Sequence, residues 1–241
     1  MNQPQIPDIT TATTIKVWDL PVRIFHWSLV LLFIGAYATN KLGPDWFKYH
    51  LWCGYGIIVL VSFRLIWGLV GTYHARFINF VSDPITTLKY ATRFFSGDHK
   101  PHTGHNPLGA VMVVILLLTM LVQAATGLFT NDEIFNVGPL YSYISNELSL
   151  QLTSLHRQLF YWILGAVLIH VLAVLYHVLF KRDGIVKAMF TGNKSGIHLA
   201  DEPAIKSSRL WLAVVIILIL SGILAWLVLH APEAVSTDFD N

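Results

Sequence analysis

Charge is scarce in this chain. Only 12% of its 241 residues are Asp, Glu, Lys or Arg, while 54% are hydrophobic. A soluble domain carries about a quarter charged residues, so this one cannot clothe itself in polar surface on every side. Cysteine is nearly absent as well. The single Cys53 excludes an intramolecular disulfide, a cysteine-held iron–sulfur cluster and a CxxCH covalent haem attachment. Any redox cofactor must be held by other residues. No signal peptide is expected, because the first apolar run starts late and no small-residue cleavage site follows it. The chain shows neither an internal repeat nor a low-complexity tract.

What is present is apolar length. Asn106–Asn131, Gln158–Phe180 and Leu210–Pro232 contain no Asp, Glu, Lys or Arg, and each exceeds the roughly 20 residues that cross a hydrocarbon core. Tyr49–Phe63 is apolar up to Arg64 and continues to Val70, and Ile24–Asn40 is charge-free. Five spans are therefore expected, at about 22–40, 50–70, 106–129, 155–180 and 209–230. With the N-terminus inside, the inner segments hold Lys16, Arg23, Arg64, Arg76, Lys89, Arg93, Lys100, Lys181, Arg182, Lys187, Lys194, Lys206 and Arg209. The outer segments hold only Lys41, Lys48 and Arg157. This bias predicts a cytoplasmic N-terminus and a periplasmic C-terminus. Asp132, Glu133, Glu147 and the tail residues Glu233, Asp238 and Asp240 add acidity outside.

Between spans, Gly43-Pro44 marks a turn, and Ser82-Asp83-Pro84 reads as the start of a short surface helix through Phe95. Gly97–Pro107 reads as a polar turn, and Leu140–Leu152 as an interfacial helix. Residues 1–15 are expected to be disordered and 16–192 to form the main domain. Residues 193–232 should supply a linker and fifth span, and 233–241 a periplasmic tail.

Eleven histidines are many for so apolar a chain, and ionisable residues within spans are costly and usually functional. The loop residues His74, His99, His102, His105 and His198 have a plain reading as solvated side chains, and His230 as an interfacial one. His50 opens span 2 and His156 opens span 4, both near the outer face. His26 lies 14 residues below the outer end of span 1, and His170 lies 14 below His156, each roughly 21 Å deeper by the helical rise. Two depth-matched pairs result: His50 with His156, and His26 with His170. Two imidazoles per pair suit axial ligation of one haem each, giving an electron path through the bundle. His177 lies about 31 Å below His156 by the same rise, too deep to match His26. Arg23 and Arg157 sit beside ligand candidates and suit haem propionates, although interfacial anchoring explains each alone.

The run Val17-Trp18-Asp19-Leu20-Pro21-Val22-Arg23-Ile24-Phe25-His26-Trp27 resembles the opening of bacterial cytochrome b561-type proteins and of the b-type cytochrome subunits of nickel–iron hydrogenases. The likeness continues through His50-Leu51-Trp52-Cys53-Gly54-Tyr55, Phe63-Arg64-Leu65-Ile66-Trp67-Gly68, Gly104-His105-Asn106-Pro107-Leu108-Gly109-Ala110 and Thr126-Gly127-Leu128-Phe129. It ends with the pattern from His156 through His170 and His177 to Arg182-Asp183-Gly184. The resemblance implies an all-α integral membrane fold, a four-helix bundle holding two b haems on His26, His50, His156 and His170. The fifth, C-terminal helix departs from that four-span core. The resemblance also implies electron exchange with a membrane quinone, for which His105, His177, Arg64 and Lys181 are candidate quinone or propionate contacts.

The expected function is a transmembrane di-haem b-type cytochrome of the bacterial inner membrane, linking the quinone pool to a periplasmic partner. That partner would be a c-type cytochrome or a hydrogenase or dehydrogenase module, and the acidic outer face would favour a basic one. No nucleic-acid partner is expected. Rival readings are a superoxide:quinone oxidoreductase, a histidine-lined metal transporter, and a plain membrane-anchor subunit.

Overall fold

The computed structural model describes residues 13–95, 103–196 and 203–232. Residues 1–12, His99, His102, His198 and the acidic tail, for which expectations were stated above, lie outside the described residues. Strand β1 (Thr13–Lys16) leads into helices α1 (Leu20–Lys41) and α2 (Phe47–Val70). Two shorter helices, α3 (Phe77–Phe80) and α4 (Pro84–Phe95), precede α5 (Pro107–Gly127) and α6 (Asn146–Leu179). Helix α7 (Ile185–Thr191), strand β2 (Asn193–Gly196) and α8 (Leu210–Leu229) follow.

Helices α1, α2, α5, α6 and α8 are long and apolar enough to cross a membrane. All five expected spans are present, so the chain is an all-α integral membrane protein. The β1–β2 pairing is antiparallel, with Lys16 opposite Asn193. It joins the segment before α1 to the segment after α6 on one side of the bundle, as the four crossings between them require.

Helix α2 is the hub. It packs against α1, α5 and α8, while α6 packs on α5. Val61, Phe63 and Trp67 of α2 and Ile163 of α6 are fully buried in one cluster with Leu117 and Met120 of α5 and Ala213 of α8. The outward faces are apolar too, with Leu31, Trp162, Leu168 and Leu218 exposed. A bilayer is the solvent in which such a surface is stable, because every backbone polar group is already bonded within its helix.

Local chemistry sets the helix starts. Asp19 caps α1, its Oδ1 accepting from the Val22 amide at 2.7 Å, with Pro21 in the first turn. Asn106 caps α5 through the Gly109 amide at 2.7 Å, ahead of Pro107. Ser145 caps α6 at the Leu148 amide. Such side chains satisfy amides that the first turn leaves without partners.

Four expectations need correction. Leu140–Leu152 is not a separate interfacial helix. A single 3-10 turn at Tyr141–Tyr143 is followed by α6, which runs unbroken for 34 residues, about 51 Å by its rise, because no proline interrupts it after the Ser145 cap. Ser149 and Thr153 on its extra turns bond the outer loop at Phe129 and Asn131. Residues 13–15 are not disordered, since they pair with β2. After span 4, where no helix was expected before residue 193, the chain forms α7, closed by Gly192 at φ 86°, where an added Cβ would meet the Trp18 carbonyl oxygen at 2.7 Å. Finally, His74 and His105 are not solvated. His74 is buried and its Nε2 bonds the Pro203 carbonyl at 2.8 Å, while His105 packs between the rings of Trp18 and Phe80.

The α5–α6 loop is held by Asp132. Partial burial alone would raise its pKa. Four hydrogen bonds from Ile134, Phe135 and Asn136 outweigh that and bring it down to about 2. Because the folded value is depressed, the stabilisation is present above the ordinary carboxylate value of 3.8 and is lost as pH falls through about 2.

The N-terminal end of α1 and the C-terminal end of α2 are tied by one buried carboxylate. Asp19 is 1% exposed, and its Oδ2 accepts from Trp67 Nε1 at 2.9 Å and Thr72 Oγ1 at 2.5 Å. Asp19→Ala strands these donors, and an unsatisfied buried donor costs about 1–3 kcal/mol. A lower midpoint of thermal unfolding in detergent is expected for Asp19→Ala, with a smaller drop for Asp19→Asn, which keeps an acceptor oxygen.

Candidate haem-ligating histidines

His50 stands one turn into α2 and His156 ten residues into α6. The longer helix makes up that difference, so the two residues meet. Their ring centroids are 6.3 Å apart with planes at 81°. A metal–imidazole bond is about 2 Å and the ring centre lies about 1 Å behind its nitrogen, so two rings opposed across one metal have centroids roughly 6 Å apart.

Both rings are oriented from behind. His50 Nδ1 donates to the Ala36 carbonyl of α1 at 2.8 Å, and His156 Nδ1 donates to the Gln123 carbonyl of α5 at 2.9 Å. A carbonyl only accepts, so each Nδ1 carries a proton, and in the neutral imidazole this leaves Nε2 as the nitrogen with the lone pair. This is the outer bonding that fixes tautomer and direction in metal-bound histidine. Thr126 Oγ1 lies 3.3 Å from His156 Nδ1. Gly127 lets the ring approach, because a Cβ there would stand 2.9 Å from His156 Cε1.

His26 of α1 and His170 of α6 lie close enough to interact electrostatically. Here the environment differs. His26 Nδ1 is buried without a hydrogen-bond partner, as are His105 Nδ1 and one terminal nitrogen of Arg64. His105 lies in the loop before α5, its ring centroid 4.8 Å from Trp18 and 4.7 Å from Phe80. Burial, then the nearby Arg64, His170 and His26, push its pKa down to about 3, so this imidazole is neutral at physiological pH.

The remaining candidates are dispersed. Arg23 is engaged with α7, its Nε donating to the Met189 carbonyl at 3.3 Å and a terminal nitrogen to that of Phe190. Arg157 is exposed beside His156. His177 Nδ1 pairs with Asp183 Oδ2 at 3.0 Å and stacks on Phe94, and Lys181 lies over the Tyr176 ring at 5.9 Å. His230 bonds the carbonyl one turn back, at Trp226.

Sequence reasoning passed over Asp19 and Asp183 as polar partners, although the Asp-Leu-Pro start of α1 is a recognisable cap signal. The Ala36 and Gln123 carbonyls carry no sequence signal. Among the described residues, no three His, Cys, Asp or Glu side chains gather into a metal-binding group. The histidines come in twos, which suits the two axial positions of an iron already held by a macrocycle.

A membrane bundle that brings imidazoles of different helices together, as at His50 and His156, has the construction of a haem-carrying electron-transfer protein. The chain belongs to the prokaryotic cytochrome b561 family, which it matches over residues 17–192, and it is a membrane b-type cytochrome. It is similar to the probable Ni/Fe-hydrogenase B-type cytochrome subunit of Rhodobacter capsulatus, with 24% identity across 79% of this chain and 85% of the relative. The subunit of the same name from Azotobacter vinelandii is 26% identical across 75% and 88%. The probable Ni/Fe-hydrogenase 1 B-type cytochrome subunit of Escherichia coli K12 is 23% identical across 74% and 90%. No solved structure matches the chain.

Because His50 and His156 face one another, His50→Ala and His156→Ala are each expected to abolish the same component of the reduced α band and leave the other in place. Loss of different components from the two variants would contradict the pairing.

Proposed function

We propose that this protein carries two b haems, one held by His50 and His156 near the periplasmic face and one by His26 and His170 towards the cytoplasmic side. It passes electrons between the membrane quinone pool and a periplasmic redox partner. The observation that carries this reading is the facing of His50 and His156 at 6.3 Å with both Nδ1 atoms tied back to backbone carbonyls.

Bound haem iron supplies one-electron transfer. The residues supply the rest. The backbone bonds behind His50 and His156 hold those rings in one orientation, and the two pairs would hold the haems through imidazole nitrogen, which suits outer-sphere electron transfer. Phe63 and Trp67 of α2 and Leu117 and Met120 of α5 belong to the apolar core between the helices. Separate depths for the two pairs provide stepping points between the faces.

The relatives' names point to a nickel–iron hydrogenase module as the partner, with a c-type cytochrome or another dehydrogenase module as the other candidates. Asp45, Asp132, Glu133 and Glu147 on the outer side favour a basic docking surface. The excess of Lys and Arg in the inner segments supports an inner-membrane protein with a cytoplasmic N-terminus and periplasmic C-terminus.

Transfer can be followed in lipid vesicles loaded with quinol, using a membrane-impermeant oxidant outside and protein inserted with its outer side exposed. Wild-type protein is expected to oxidise the quinol, and His50→Ala and His170→Ala to fall to the rate of protein-free vesicles. Undiminished oxidation in both variants would remove the case for this route.

A further inference from the structure

Arg64 is a buried cation lacking a paired anion. Its side chain lies within α2, 2% exposed, and only one terminal nitrogen is engaged, donating to the Ala75 carbonyl at 3.1 Å. The other has no partner. Phe77 and Phe80 cover the guanidinium, at 5.2 and 6.0 Å from their ring centres. Asp19 is near enough to interact electrostatically, yet its oxygens are committed to Val22, Trp67 and Thr72. No carboxylate of the described residues forms an ion pair with Arg64. Charge placed in hydrocarbon without a counter-ion is costly, so a site of this construction calls for an anion from outside the described residues.

Position identifies that anion. The Asp19–Trp67 hydrogen bond marks a common level on α1 and α2. His26 lies seven residues further into the bilayer than Asp19, about 10 Å, and Arg64 three further than Trp67, about 4.5 Å. Arg64 therefore sits roughly 6 Å to the inner side of His26 by the same rise. That is the level of the carboxylate edge of a macrocycle ligated by His26 and His170 with this edge turned to the cytoplasmic face. His105 spans the gap, since it interacts electrostatically with Arg64, His170 and His26 alike. Arginine suits the role, because its planar fork binds carboxylate through two nitrogens.

We propose that Arg64 binds a propionate of the inner haem and raises that haem's reduction potential. The assignment rests on the inner pair His26 and His170 holding a haem. A fixed positive charge in a low-dielectric site favours the electron-bearing state, and covering by Phe77 and Phe80 keeps solvent from screening it.

Potentiometric titration of the purified protein, followed by resonance Raman spectroscopy of the propionate bending modes, tests this. In Arg64→Gln both haems should remain bound, and the inner potential should fall enough to change its ferrous-to-ferric ratio about tenfold, or about 59 mV for one electron. The outer potential should stay put. Arg64→Lys should keep most of the potential but shift the propionate band, and it carries the test by itself if the Gln variant does not assemble. Unchanged potentials and an unchanged propionate band would overturn the proposal, as would an effect confined to the KM for quinol, which would place Arg64 at a quinone site instead. Retention of both haems in His170→Ala would overturn the parent reading of the inner pair, separately from any result at Arg64.

Discussion

In hydrocarbon a polar atom can bond only to protein or to a cofactor, and the whole arrangement follows from that constraint. Each helix settles its own backbone, so what remains to be satisfied is a short set of side chains. Asp19 is satisfied by Val22, Trp67 and Thr72, and so becomes a fastening between α1 and α2. His50 and His156 are satisfied at Nδ1 by carbonyls of neighbouring helices, which orients both rings for the ligand role proposed for them. Around the inner pair the same rule leaves His26, His105 and Arg64 with buried nitrogens unpartnered, and the cofactor proposed there completes them.

The two sites are thus built differently. At the outer one, α1 and α5 supply backbone oxygen behind α2 and α6, so four helices cooperate in aiming two rings. At the inner one, the chain offers an aromatic and cationic lining drawn from α1, α2, α3 and the loop before α5. A site rich in positive charge favours the reduced state and one lined by neutral carbonyl bonds does so less. Under the proposed two-haem reading, that contrast would give the two haems unequal potentials.

Much of this was legible in the sequence. Hydrocarbon thickness sets span length, so charge-free runs located all five helices. The constant helical rise turned spacing into depth and paired His50 with His156, which the structure brings to 6.3 Å between ring centroids with the planes nearly perpendicular. What escaped has a physical cause in each instance. The start of α6 was placed late because its first turns are polar, and helix continuity there depends on the Ser145 cap and the absence of proline rather than on hydropathy. His74 and His105 were read as solvated because loops are usually wet, but tertiary folding places Pro203 over one and Trp18 and Phe80 against the other. The carbonyls of Ala36 and Gln123 belong to the backbone, so no residue type announces them. Arg64 was recognised as a candidate contact, but that one of its nitrogens lies buried and unpartnered is visible only in three dimensions.

The central claim, two bis-imidazole haems on one chain, is tested most directly by electron paramagnetic resonance of the oxidised protein with spins counted per chain. Nearly perpendicular imidazole planes, as at His50 and His156, leave the iron orbitals close in energy and give a highly anisotropic low-spin signal. The account predicts two low-spin ferric spins per chain, the outer one of this anisotropic type. A single spin per chain, or a dominant high-spin signal from iron with an open axial position, would contradict it.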